Sequence, residues 1–88
     1  MLEKTLERKL QKAVEKLGGV SFKWISTVTG VPDRIVILKT KVYFVEMKTQ
    51  SGKVSPRQAL IFQTLEKHGF PVVILRNEEE IEQFVNSR

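Results

Sequence analysis

The sequence predicts an α/β fold, a small mixed β-sheet flanked by helices in the order αβββαβα. Three observations carry this expectation. Apolar residues at helical spacing open the chain, short β-branched and aromatic runs follow, and a helix-length segment separates the third run from the fourth. Such a crossover joins parallel strands. With 88 residues and 41% hydrophobic content, residues 1–88 are expected to form one domain around one shared core, and any active site must sit on that core.

Leu2, Leu6, Leu10, Ala13, Val14 and Leu17 recur at three- and four-residue spacing among Glu, Lys and Arg, which predicts an amphipathic helix closed by Gly18-Gly19. Val20 to Val28 predicts a strand containing Phe22, Trp24, Ile25 and Val28, broken by Thr29-Gly30-Val31-Pro32. Two apolar runs follow, Arg34 to Leu38 and Val42 to Lys48, and together they predict a β-hairpin. Gln50 to Lys53 is a polar loop. Ser55-Pro56-Arg57-Gln58 has the form of a helix start, with serine as cap and proline at the first helical position, and that helix runs to about His68. Phe70 to Leu75 is a final buried strand, after which Asn77 caps a short acidic helix with Ile81, Phe84 and Val85 on its apolar side.

Composition narrows the chemistry. The formal charge is +5, from 15 Lys and Arg against 10 Asp and Glu, which makes nucleic acid the leading partner class. There is no cysteine and one histidine, His68. Metal ligands must then be carboxylates and carbonyls, a donor set suited to Mg²⁺ or Mn²⁺. There is no signal-peptide pattern and no apolar run of membrane-spanning length, so cytoplasm is the expected location and no membrane partner is expected.

Glu46 and Lys48 lie two residues apart on one strand, so their side chains share a sheet face. A two-residue turn at Lys39-Thr40 would pair Asp33 with Glu46, and one at Thr40-Lys41 would pair it with Lys48. A three-residue turn without a bulge would turn Asp33 away. Directly opposed carboxylates, with Cβ atoms about 5 Å apart, are close enough to grip one divalent ion. Two such groups at the end of apolar strands repel each other unless a cation neutralises them. The alternative is a partly exposed strand end with an ordinary carboxylate–lysine ion pair.

Gly30-Val31-Pro32-Asp33, then Val45-Glu46-Met47-Lys48-Thr49, then Ser55 with Gln58, closely resembles the VRR-NUC domains, the virus-type replication-repair nucleases of the PD-(D/E)XK superfamily. The first helix, the Gly18-Gly19 stop and the run from Phe22 to Ser26 resemble the short stand-alone members of phages and bacteria, so the likeness spans nearly the whole chain. Thr27-Val28-Thr29 departs from many relatives in lacking a proline and an extra glycine before Gly30.

The resemblance implies a restriction-endonuclease-like core and hydrolysis of DNA phosphodiesters to 5′-phosphate products. It makes Asp33 and Glu46 the metal-binding carboxylates for Mg²⁺ or Mn²⁺, with the Met47 backbone carbonyl as a further ligand. Lys48 becomes the catalytic lysine, and Glu7 matches an acidic residue on the first helix of relatives. Gln58 is implied to reach the lysine or the scissile phosphate, although Ser-x-x-Gln at a helix start also spells a capping box. Lys23, Arg34, Lys53 and Arg57 flank the site in sequence and are candidate phosphate contacts. The expected working unit is a homodimer acting on branched DNA, four-way (Holliday) junctions foremost, in the cytoplasm of a bacterial or phage-infected cell. The alternative is a non-catalytic nucleic-acid-binding domain that keeps the nuclease fold.

Overall fold

A computed structural model describes residues 2–87. It contains α1 (Glu3–Lys16), β1 (Val20–Lys23), β2 (Arg34–Leu38), β3 (Lys41–Met47), α2 (Pro56–Lys67), β4 (Val72–Leu75) and α3 (Glu78–Asn86), the αβββαβα order that the sequence predicts. The strands form one sheet in the order β1-β2-β3-β4. β1–β2 and β2–β3 are antiparallel, and β3–β4 is parallel across the α2 crossover. No helix among the described residues is long and apolar enough to cross a membrane.

The hairpin between β2 and β3 fixes the register on which the site depends. Leu38 pairs with Lys41, leaving Lys39-Thr40 as a two-residue turn. Both turn residues have positive φ, 51° and 67°, the backbone twist of a type I′ turn that matches flanking antiparallel strands.

One element is shorter than its sequence pattern suggests. The strand expected over Val20–Val28 ends at Lys23, and Ile25 is 85% exposed. A strand continues only while it has a partner. The Trp24 N–H donates to the Asp33 carbonyl at 2.8 Å, but the next partner in line is Pro32, which has no N–H to offer. The chain leaves the sheet there, and Ser26 Oγ accepts the Val28 N–H at 2.9 Å to tighten the following loop.

The core occupies one sheet face. Leu6, Leu10 and Val14 of α1 and Ile81, Phe84 and Val85 of α3 close over Val36, Leu38, Val45, Met47 and Leu75. Each fully buried Leu or Val stabilises the fold by about 1.5–3 kcal/mol. Alternation turns Glu46 to the opposite face from Val45 and Met47, and there α2, which has no fully buried residue of its own, approaches the strand ends.

Candidate active site

Asp33 stands just before β2 and Glu46 just before the end of β3. The pairing of Arg34 with Val45 carries the ladder on so that these two residues meet. They are tied to each other's strands: the Asp33 N–H donates to Glu46 Oε1 at 3.2 Å, and the Met47 N–H donates to Asp33 Oδ2 at 2.9 Å. In an extended strand the N–H and C=O of one residue lie on the same edge, so the Met47 carbonyl is on the Asp33 side as well.

Around this pair the remaining groups converge. Lys48 Nζ lies 3.2 Å from Glu46 Oε2, with the lysine side chain 14% exposed and that of the glutamate 2%. Gln58 Nε2 donates to the same Glu46 oxygen at 2.9 Å. At its other end, Gln58 Oε1 accepts the Ser55 N–H at 3.1 Å while Ser55 Oγ accepts the Gln58 N–H at 3.1 Å. The capping box and the contact with the site therefore coexist. The Gly30 turn allows α2 to sit this close: it has φ +100°, and a Cβ there would lie 3.0 Å from the Arg57 carbonyl oxygen.

Burial pushes both carboxyls above their ordinary range. For Asp33 the next influence is the Met47 N–H, which opposes the rise, followed by the nearby Glu7 charge, which adds to it; Lys48 and Lys23 oppose it more weakly. For Glu46 the charge of Asp33 adds to the effect of burial, and Lys48 and Gln58 oppose it. Two adjacent carboxylates held against their own repulsion are an arrangement that a divalent cation relieves. Among the described residues no group of three or more His, Cys, Asp or Glu converges on one point. Two carboxylates and a carbonyl nevertheless fit Mg²⁺ or Mn²⁺, because such ions are commonly held by one or two carboxylates, with waters and substrate phosphate filling the other positions.

Glu7 reaches this end of the sheet from α1. Its Oε1 accepts from Arg34 Nη1 at 3.0 Å, and its Oε2 lies 3.9 Å from Lys23 Nζ. Arg34 departs from the expected phosphate contact. Its guanidinium is buried, donating also to Ser21 Oγ at 2.7 Å, the Ser21 carbonyl at 3.0 Å and Gln11 Oε1 at 3.2 Å. A lone arginine opening a β-strand reads as a surface cation; its burial follows from β1 and α1 folding over it. Of the other candidate phosphate contacts, Lys23 and Lys53 are exposed, and exposed Arg57 donates to the Thr29 carbonyl at 3.2 Å.

Sequence reasoning did not single out Arg76. Its Nη1 donates to the carbonyls of Thr49 and Gly52 at 2.9 and 2.5 Å, holding the loop that follows Lys48. The signal was a cation directly after a buried strand that runs parallel to β3, which places it beside the chain leaving Lys48.

Comparison with known proteins finds relatives in sequence and in fold. The family model of the VRR-NUC domain matches residues 1–79. A protein of Acyrthosiphon pisum secondary endosymbiont phage 1, named "Putative nuclease p44", is 35% identical over 79 residues, covering 88% of this chain and 85% of the relative. A solved structure of a VRR-NUC domain is similar at a TM-score of 0.88 and 25% identity, covering 96% of this chain and 94% of the other. Matched over most of its length by sequence and by fold, the chain belongs to the VRR-NUC domain family.

Proposed function

We propose that this nuclease domain is a Mg²⁺- or Mn²⁺-dependent deoxyribonuclease that cuts branched DNA as a homodimer. The observation that carries the reading is the convergence of Asp33, Glu46, Lys48 and Gln58 on the end of β3. Asp33, Glu46 and the Met47 carbonyl would hold the divalent ion, which supplies Lewis acidity toward the phosphate oxygens.

The chain's own groups do the rest. Glu46 fixes the Lys48 ammonium beside the pair, where its positive charge orients the attacking water and offsets the negative charge that builds on the phosphate. Lys48 acts here by position and charge. Gln58, held by the cap at one end, keeps the Glu46 carboxylate aligned and presents an amide at the same point. In-line attack with departure of the 3′ oxygen leaves a 5′-phosphate.

The dimer is supported by an apolar band on the sheet face opposite the core. Val20, Ile37 and Val42 are register partners across three strands and all are exposed, with Phe22 beside them at 58% exposure. A second copy covering this band would remove it from water, and two-fold symmetry would present two sites to a symmetric substrate. Light scattering at micromolar concentration, followed by cleavage of linear, flapped and four-way-branched DNA of matched sequence with Mn²⁺, tests the reading. Twice the chain mass and preferential junction cleavage are expected. A monomer that cuts all three equally would remove the dimer and the substrate preference together, and a protein that binds DNA without cutting any of them would leave only a binding domain.

A further inference from the structure

Lys4, Arg8, Lys12 and Lys16 follow one another at four-residue spacing along α1, and all four are exposed. Each step is about one helical turn, so they form a stripe about 18 Å long on the helix side away from Leu6, Leu10 and Val14, which are fully buried. Like charges at this spacing destabilise a helix. A merely soluble face would mix signs along the row.

Lys9, Lys23, Arg34 and Lys48 make ion pairs, and Arg57 and Arg76 donate to backbone carbonyls. Among the described residues none of the four stripe cations makes an ion pair. Of the other cations, exposed Lys39, Lys41, Lys53 and Lys67 also make no ion pair among the described residues, but they lie on four separate segments and form no row. Of the acids near the row, exposed Glu15 accepts from Gln11, Glu78 is paired with Lys9, and Glu82 lines a groove with Lys12 and Lys16 and accepts from Asn86.

We propose that the outer face of α1 is a second phosphate-binding track, which grips the backbone of a duplex arm away from the active site. One strand of a duplex carries a phosphate every ~3.4 Å of axis, so a stripe of this length is long enough to meet more than one phosphate of the same strand. The track faces away from the sheet that carries Asp33 and Glu46, which suits a substrate with more than one arm; to that extent the inference rests on the DNA-cleaving reading. Nucleic acid is a better match than a lipid surface, because Leu6, Leu10 and Val14 of α1 are buried in the core and the exposed leucines, Leu2 and Leu17, stand apart at the two ends of the helix and form no apolar face.

Two double variants of equal charge change make the test. Arg8→Gln with Lys12→Gln removes the middle of the stripe, and Lys39→Gln with Lys67→Gln removes two exposed cations elsewhere. Fluorescence anisotropy with a four-way junction in EDTA, across a salt series, gives the slope of log affinity against log salt. The stripe variant should lose about two units of slope, at ~0.9 per phosphate contact, and roughly tenfold in affinity, while melting no lower than wild type. With Mn²⁺ its KM should rise and its turnover at saturating junction should hold. The control should bind as wild type does. Equal losses in both variants, or none in either, would overturn the track, as would junction binding intact alongside lost binding to phosphatidylserine vesicles. Stripe-dependent binding by a wild type that cuts nothing would remove the catalytic reading and leave the track; cleavage without any stripe effect would do the reverse.

Discussion

Gln58 spans two environments because a carboxamide has two different ends, an acceptor that completes the α2 cap and a donor that holds Glu46. Gln58→Ala should therefore cost on the order of 1 kcal/mol of stability from the cap and also slow cleavage at saturating substrate. Thermal melts and single-turnover rates on one preparation separate the two losses; normal cleavage by a less stable variant would confine Gln58 to the cap. Asp33 carries an electrostatic prediction. Both carboxyls titrate above their ordinary values in the fold, so the folded state holds protons that the unfolded state has released. The repulsion is fully present above the raised folded values and is relieved as pH falls through them toward the ordinary range. In EDTA at neutral pH, Asp33→Asn should melt a few degrees above wild type, and the gap should close on acidification across that window. A gap that widens on acidification would contradict the stated direction. Arg34 predicts the opposite kind of effect, because removing its guanidinium strands Glu7 and Ser21 in a part-buried cluster. Arg34→Met should cost about 3 kcal/mol, read as a drop in urea midpoint.

At the level of elements, the sequence showed what local chemistry determines. Gly18-Gly19 marks the end of α1, Ser55-Pro56 starts α2 and Asn77 caps α3, each through a hydrogen bond or backbone conformation that neighbouring residues supply. The pairing of Asp33 with Glu46 was legible only as one of several registers, since it rests on the turn, and Lys39-Thr40 carries none of the Asn-Gly chemistry that announces a type I′ turn. The end of β1 was not legible, because Ile25 and Val28 are strand formers left without a partner. Burial of Arg34 was hidden for the same reason, since what surrounds it comes from residues 7, 11 and 21. The turn has a testable consequence. Lys39→Asn with Thr40→Gly puts permissive residues at both positive-φ positions and should stabilise the protein by about 1 kcal/mol or more. A destabilised double variant would contradict the turn geometry.

On the scale of the whole molecule, α1 and α3 close one face of the sheet and leave the other to α2, an exposed apolar band and the site at the strand ends. This division lets the core and the chemistry vary separately. Leu10→Ala should cost about 2–5 kcal/mol through the cavity it leaves, whereas Lys48→Ala should leave the fold intact. The central claim is that Asp33, Glu46 and Lys48 form a divalent-metal site for phosphodiester cleavage, and the most direct measurement is cleavage of a four-way junction by wild type and Lys48→Ala, each with Mn²⁺ and with EDTA. Wild type should cut only with Mn²⁺, and Lys48→Ala should not cut under either condition while remaining folded at the assay temperature. Undiminished cleavage by Lys48→Ala, or cleavage by wild type in EDTA, would contradict it.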